Sequence, residues 1–215
     1  MDILRMLLPL VGEGLKVTLG LFVLTLVFSL PLSLPVALLR IQSNKILEGI
    51  LRVYIYIMRG TPLLLQMLFI FFGLPLLGVT LSRNGSIVLA FILNYTAYFA
   101  EIYRGGIQSI PKGQWEAGKV LGLSKSFTFL KVILPQVNRV VMPSIGNEVI
   151  TLIKDTSLVY TLGVMDILKA AKTTSMNFSS LLPYVYVAGI YLLLVAVVSQ
   201  VLNKIEKKQR SKGLC

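Results

Sequence analysis

The sequence predicts an all-α integral membrane protein, with five transmembrane helices in a single domain over residues 1–215. Of the 215 residues, 55% are hydrophobic and only 14% are charged, whereas a soluble domain carries about 25% charged residues. Long uncharged runs recur along the chain, and a membrane-spanning helix needs about 20 apolar residues. Lys and Arg gather in alternate connections between these runs, which is typical of a membrane protein with a fixed orientation.

Five runs are predicted to cross the membrane. In order, they lie at 17–39, 60–82, 84–100 with an extension past residue 101, 140–153, and within 181–203. The length of the first run and the lack of a small-residue cleavage site argue against a removable signal peptide. Pro143 and Glu148 interrupt the fourth run, which is therefore the least regular of the five.

Positive charge predicts the orientation of the spans. With five spans, fourteen Lys and Arg residues fall on one side, in the loops at about 40–59 and 104–131 and in the tail, against five in the loops of the other side. This bias places the N-terminus outside and the C-terminus in the cytoplasm. A net charge of +12 can also indicate nucleic-acid binding. In a chain this apolar we attribute the positive charge to loops beside anionic lipid. We therefore expect membrane lipid as a partner, and no nucleic acid.

Two residue types limit the chemistry of the chain. Cys215 is its single cysteine, so neither a disulfide framework nor a zinc spacing is present, and we interpret it as an inert tail thiol. The chain contains no histidine, which removes most metal sites and the usual general base near neutral pH. No metal site and no enzymatic activity are therefore expected.

A spaced motif lies in the basic stretch between the third and fourth runs. Glu116, Ala117 and Gly118 are followed three residues later by Gly122, and nine residues after that by a segment that ends in Leu134 and Pro135. This spacing resembles the EAA loop of ABC-importer permeases, in which Ala and Ile stand where this chain has Gly118 and Val132. The resemblance implies that the loop, at about 104–135, forms a short cytoplasmic helix that docks into a groove on a separate ATPase subunit.

Residues 113–123 themselves suit a short amphipathic helix. Its apolar surface would come from Trp115, Ala117, Val120 and Leu121. Small residues at Ala117 and Gly118 would let another protein come close, Gly122 permits a left-handed helix stop, and Pro135 starts the next membrane segment. The alternative is an interfacial helix that lies on lipid headgroups, which the basic residues also suit.

Further segments extend the resemblance over nearly the whole chain. They are residues 59–62, 100–107, 111–114 and 154–158. These segments resemble the polar-amino-acid branch of ABC permeases, the histidine/glutamine/arginine type. The resemblance implies the ABC type I importer permease fold with five helices per subunit, in a bacterial cell (inner) membrane.

The same resemblance implies a set of partners. These are two ABC ATPase subunits, a second permease subunit and an extracytoplasmic amino-acid-binding protein. A homodimer is the simpler arrangement, and a heterodimer is also compatible. The chain has no G-x-x-x-x-G-K-[ST] phosphate loop, so no cofactor is expected in it, and ATP and Mg²⁺ belong to the partner ATPase.

Acidic residues inside the predicted spans mark a candidate substrate site, because a carboxylate at membrane depth costs about 2.5–3.5 kcal/mol on insertion scales. Glu148 and Asp155 are seven residues apart and share a helix face with Thr151. A second stripe, on the third span, consists of Asn94, Tyr98 and Glu101. We expect the two stripes to line a polar cavity that holds a cationic side chain such as that of arginine, lysine or histidine.

Each of these residues also has a structural interpretation. Glu101 could pair with Arg104 or Arg139, and Asp155 could cap a short helix that follows it. Glu148 has no obvious partner on its own helix. Gly60 and Thr61 precede a proline at the start of a helix, whose free amides would attract a substrate carboxylate or simply begin the helix.

Two function classes remain for the chain. The leading one is the permease subunit of an ATP-driven importer of polar, basic amino acids. The other is an ion-coupled secondary carrier, which is disfavoured because such carriers usually contain inverted repeats and more spans.

Overall fold

The computed structural model describes residues 2–42 and 44–211, without the side chains of residues 209–211, and every regular element in this part of the chain is helical. The α-helices are α1 Asp2–Gln42, α2 Lys45–Gly60, α3 Leu63–Leu68, α4 Arg83–Ser109, α5 Lys112–Val120, α6 Lys125–Thr128, α7 Leu134–Asp155, α8 Ile167–Phe178 and α9 Leu182–Ser211. The tail residues Lys212 and Cys215 lie outside the described residues.

Three of the described helices are long and apolar enough to cross a membrane. They are Asp2–Gln42, Arg83–Ser109 and Leu182–Lys208. A fourth candidate is the pair Lys45–Gly60 and Leu63–Leu77, bent by 110° at the break between them. The described structure thus contains three or four candidate spans by length and composition.

Helix α4 is the central helix of the bundle. It packs against α1, α2, α3 and α7, and its large aromatic residues Phe91, Tyr95 and Phe99 are fully buried. The face of α1 that packs on it carries Thr25, Ser29 and other small residues. Small side chains let two helix backbones approach closely, which is a common way of packing helices in membranes.

The first helix is much longer than the predicted span at 17–39. It covers 41 residues, or about 60 Å at 1.5 Å per residue. Its first turns pack on α8 and α9, where Leu7, Val11 and Ile167 form a separate buried cluster. Arg5, Glu13 and Lys16 interrupt the apolar sequence in this part of the helix, so the sequence predicted a span only from residue 17 onward.

The predicted loop at about 40–59 is wrong: this segment contains helix α2. Asn44 caps the helix, since its Oδ1 accepts a hydrogen bond from the Leu47 amide at 2.9 Å. One of the charges that suggested a loop, Arg52, pairs with Glu48 one turn away on the helix surface. The hydroxyl of Tyr54 ties α2 to α4 by a 2.6 Å hydrogen bond to the Leu93 carbonyl.

The predicted second span at 60–82 is not one regular helix. The backbone at Thr61 is extended (φ −122°, ψ 150°), as expected for a residue before proline. Helix α3 then continues as a π-helical turn over Phe69–Gly73 and a 3₁₀ turn over Leu74–Leu77. The chain leaves this turn at Gly78 with a left-handed φ of 82°.

The predicted fourth span corresponds to α7. A π-helical turn over Phe129–Ile133 leads into α7, which is longer than the predicted run at 140–153 and continues through Pro143.

Helix α8 is a helix that the sequence did not predict. It follows a 3₁₀ turn over Thr156–Leu162. It begins at a buried Asp166 whose carboxylate accepts hydrogen bonds from two backbone amides, an N-cap that fixes the start of the helix.

Candidate functional site

A cavity of about 270 Å³ lies between α4, α7 and the break before α3. Its lining residues are Thr61, Pro62, Leu63, Asn94, Tyr95, Tyr98, Glu148, Thr151 and Asp155. Six of these are residues that the sequence predicts to contact a substrate. The cavity therefore brings the predicted stripe on α7 opposite two members of the predicted stripe on α4, Asn94 and Tyr98.

The α7 side of the cavity presents two carboxylates. Glu148, Thr151 and Asp155 follow one another at three- and four-residue intervals, so they lie on one face of the helix. Asp155 Oδ2 accepts a 2.8 Å hydrogen bond from the hydroxyl of Tyr95 on α4. Among the described residues, its side chain makes no capping bond to the 3₁₀ turn that follows. Asp155 thus lines the cavity, and the structure does not support the capping interpretation.

The break between α2 and α3 is held by a network of amide side chains. Asn94 Nδ2 donates to the Met58 carbonyl and to Gln66 Oε1, both at 2.9 Å. Gln66 Nε2 in turn donates to the Met58 carbonyl at 2.9 Å and to Thr61 Oγ1 at 2.8 Å. These bonds satisfy polar groups that Pro62 leaves without helical partners. Thr61 is thereby fixed at the cavity wall.

Of the residues predicted to contact the substrate, Gly60 and Glu101 do not line this cavity in the described structure. Gly60 ends α2 directly beside Thr61. Glu101 lies one turn beyond Tyr98 on α4 and sits among three arginines. Its carboxylate pairs with Arg40 and Arg104, the latter at 2.7 Å, and has a longer contact of 3.9 Å with Arg59. The predicted pair between Glu101 and Arg104 is confirmed.

Sequence reasoning missed Tyr95 and Gln66. Tyr95 is next to the predicted Asn94, and it precedes Tyr98 by three residues, so it shares a face with Tyr98. Its signal was a tyrosine inside an apolar helix, because a buried hydroxyl usually needs a hydrogen-bond partner. Gln66 gave a similar signal, as the single amide in an apolar run after Pro62.

The predicted coupling segment is a separate feature of the structure. Helix α5 ends in a Schellman motif, since the Leu123 amide donates to the Gly118 carbonyl at 2.9 Å and the Gly122 amide to the Lys119 carbonyl at 3.1 Å. Gly122 has a φ of 71°, so the predicted left-handed stop is confirmed.

Two contacts hold α5 against the turns that follow it. A Cβ added at Gly118 would stand 2.6 Å from the Oγ1 and Cγ2 atoms of Thr128. Trp115 is half-buried and stacks on Phe129, with ring centroids 6.2 Å apart. The small size of Gly118 therefore serves packing within the chain.

The opposite face of α5 is open. Glu116 and Ala117 are exposed, and Val120 and Leu121 have relative exposures of 87% and 73%. Leu134 is half-buried and Pro135 is exposed, where α7 begins. Helix α5 thus offers a small apolar surface on a rigid support.

Several helices of membrane length, together with a polar cavity lined by α4, α7 and the break before α3, are typical of a polytopic membrane transport protein. The chain belongs to the family described as "Binding-protein-dependent transport system inner membrane component", whose family model matches residues 29–211.

Several named relatives match almost the full chain. The L-cystine transport system permease protein TcyB of Bacillus subtilis (strain 168) is 40% identical over 202 residues, which cover 93% of this chain and 86% of that protein. The arginine ABC transporter permease protein ArtQ of Haemophilus influenzae is 36% identical over 207 residues, 93% of each chain. The putative glutamine transport system permease protein GlnP of Rickettsia bellii is 35% identical over 198 residues, 91% of each chain.

Solved structures share the fold. A chain of the structure titled "Crystal structure of an amino acid ABC transporter with histidines" superposes with a TM-score of 0.86 at 33% identity, covering 97% of this chain and 99% of that one. An inward-facing conformation of the MetNI methionine ABC transporter has a TM-score of 0.79 at 18% identity, covering 93% of this chain and 96% of that one. The second likeness concerns the fold alone.

Proposed function

We propose that this chain is the permease subunit of an ABC importer for polar, basic amino acids. The observation that carries the proposal is the cavity beside α4 and α7, which the carboxylates of Glu148 and Asp155 line. In the topology proposed below, both carboxylates would stand at membrane depth. Buried carboxylates in membrane helices are costly and occur mostly at functional positions. Relatives named for arginine, glutamine and cystine transport support an amino-acid substrate.

The cavity offers complementary groups for an amino acid. Glu148 and Asp155 would attract the ammonium and a cationic side chain, while Thr151, Asn94 and Tyr98 would supply hydrogen bonds. At the other end, Gly60 and Thr61 lead into the first amides of α3, which favour a carboxylate. Glu101, held among arginines, would fix the end of the cavity wall.

The proposed topology has five spans, with the N-terminus outside and the C-terminus in the cytoplasm. The spans would be α1, the bent pair α2 and α3, α4, α7 and α9. Lys and Arg in the segments at about 104–131 and after 203 support this orientation. The chain would be a multi-pass protein of a bacterial cell (inner) membrane.

Energy for transport would enter through helix α5. Its exposed face, with Glu116, Ala117, Val120 and Leu121, would dock on an ABC ATPase subunit that binds ATP and Mg²⁺. The complex would also contain a second copy of this permease and an extracytoplasmic amino-acid-binding protein. This chain would bind no cofactor and make or break no bond in the amino acid.

Uptake by a reconstituted complex tests the proposal. The permease, its co-purified ATPase and the binding protein would be placed in liposomes with radiolabelled arginine, lysine or histidine outside. We expect uptake that requires ATP on the side of the membrane to which the ATPase is bound. This uptake should stop when the ATPase is omitted. Uptake by the permease alone under an ion gradient would contradict the proposal.

A further inference from the structure

Arg59 stands at the edge of the cavity, in the last turn of α2. Its guanidinium carbon lies 5.3 Å from the ring centroid of Tyr98, a cavity-lining residue. The Tyr98 hydroxyl also donates a weak 3.4 Å hydrogen bond to the Arg59 carbonyl. The guanidinium and the backbone carbonyl of Arg59 thus both contact Tyr98.

The contact between Arg59 and Glu101 is the loosest of the three arginine contacts to that carboxylate. Arg104 donates two hydrogen bonds to Glu101, at 2.7 and 3.0 Å, and Arg40 donates a third. The Arg59 nitrogen remains 3.9 Å away, beyond the 2.7–3.2 Å range of an N–H···O hydrogen bond. The close hydrogen bonds of Glu101 are therefore those with its other two partners, and Arg59 makes only a distant contact.

This arrangement leaves Arg59 as an available cation. One carboxylate faces three guanidinium groups, so the cluster carries a local excess of positive charge. The Arg59 side chain is also 43% exposed, against 17% for Arg40 and 26% for Arg104. A ligand can reach Arg59 without first breaking the two short pairs of Glu101.

Opposite charges consequently lie in the cavity and beside its Tyr98 wall. Glu148 and Asp155 supply negative charge on α7, and Arg59 lies within electrostatic range of Glu148. An amino acid carries an ammonium group and a carboxylate on one carbon, and a guanidinium binds a carboxylate through two parallel hydrogen bonds. We propose that Arg59 binds the α-carboxylate of the transported amino acid, an inference that rests on the function proposed above.

In this arrangement the substrate carboxylate replaces the distant contact to Glu101, while the ring of Tyr98 continues to support the guanidinium. Arg59 then discriminates amino acids from the corresponding amines. A purely structural Arg59, which only packs α2 on Tyr98, would not distinguish between these two ligand classes.

Equilibrium binding to the permease–ATPase complex tests this difference. Three ligand pairs are suitable: arginine and agmatine, lysine and cadaverine, or histidine and histamine, in which the second member lacks only the carboxylate. The pair whose amino acid the wild-type complex binds most tightly is then measured with the Arg59→Gln, Arg59→Lys and Arg40→Gln variants. Arg40 is the matched control, because it contacts the same Glu101, whereas the contact with the cavity-lining Tyr98 is made by Arg59.

We expect Arg59→Gln to weaken binding of the amino acid by about tenfold to a hundredfold, the usual cost of losing a charge-assisted hydrogen bond. The affinity for the amine should change by less than about threefold, since no carboxylate is lost. Arg59→Lys should keep part of the preference for the amino acid, and Arg40→Gln should leave the ratio of the two affinities unchanged.

Two results would overturn the inference in different ways. If Arg59→Gln lowered both affinities equally or neither, Arg59 would have a structural role while the proposed function stood. If the wild-type complex bound none of the three amino acids and showed no ATP-dependent uptake of them, the proposed function itself would fail, and this inference with it.

Discussion

Tyr95 shows how one residue helps to make the half-buried carboxylate of Asp155 tolerable inside this bundle. It is 1% exposed, and its hydroxyl donates to Asp155 across the interface of α4 and α7. A hydrogen bond to a charged group contributes about 1.5–3 kcal/mol. The same bond fixes the direction of Asp155 relative to Glu148, so Tyr95 links the packing of two helices to the geometry of the cavity.

Replacing Tyr95 with Phe should therefore lower stability, because the ring is kept and only the donor is lost. We expect a loss of about 1.5–3 kcal/mol, seen as a lower thermal midpoint of the detergent-solubilised protein. Tyr56→Phe is the control, since Tyr56 is 77% exposed on α2. Equal midpoints for Tyr95→Phe and the wild type would contradict the assigned role of this bond.

The close packing of helix α5 against α6 depends on a single glycine. Gly118 permits the close contact with Thr128, and the Schellman motif at Gly122 ends the helix. The exposed side chains of α5 are therefore carried by a short helix that packs on Thr128 and ends at a defined residue.

Gly118→Ala should destabilise this element, since its Cβ would overlap with Thr128 and overpacking costs about 1–3 kcal/mol. A second substitution, Thr128→Ala, should relieve much of this cost, and a double-mutant cycle of thermal midpoints measures the coupling. Gly113→Ala is the control in the same helix, because a Cβ there meets nothing within 4 Å. The absence of coupling between positions 118 and 128 would contradict the packing described.

Val120 tests the proposed docking surface on the same element. Because Val120 is 87% exposed, Val120→Glu should leave the thermal midpoint of the permease nearly unchanged. Co-purification of the ATPase and ATP-dependent uptake should fall at least tenfold. Lys16→Glu, on the proposed extracytoplasmic side, should affect neither. An intact complex with Val120→Glu would argue that α5 lies on lipid headgroups instead.

At the scale of the whole molecule, the proposed orientation makes a labelling prediction. In a Cys215→Ser background, Lys169→Cys and Lys119→Cys should react differently with a membrane-impermeant maleimide in spheroplasts. We expect labelling at 169 and protection at 119 until the membrane is opened, since the spans place them on opposite sides. Labelling of Lys119→Cys in sealed spheroplasts would contradict the orientation.

Helical periodicity explains why much of the site could be predicted. The intervals between Asn94 and Tyr98, and between Glu148 and Asp155, place polar groups on single faces of apolar helices, and each face then met the other in the cavity. Glu101 followed the same periodicity but lies one turn farther along, where three arginines neutralise it. Periodicity gives a direction around the helix axis, not the depth at which a cavity ends.

Other parts of the fold and of the site could not be predicted, because they depend on tertiary contacts that no local sequence pattern encodes. The segment of α2 carries enough charge to resemble a loop, yet its apolar face packs on α4 and its charges occupy the surface. Arg59 became a candidate only when folding brought it to Tyr98, which is 39 residues away in sequence. Helix α8 is similarly held by contacts with the start of α1.

The most direct measurement is the competition profile of ATP-dependent uptake in a Glu148→Gln complex. We expect this variant to lose its preference for basic over neutral amino acids by about tenfold or more, because the half-buried carboxylate proposed to pair with the substrate cation is removed. Glu13→Gln, an exposed change on α1, should keep the wild-type profile. Unchanged arginine uptake and an unchanged competition profile in Glu148→Gln would contradict the assignment of this cavity as the substrate site.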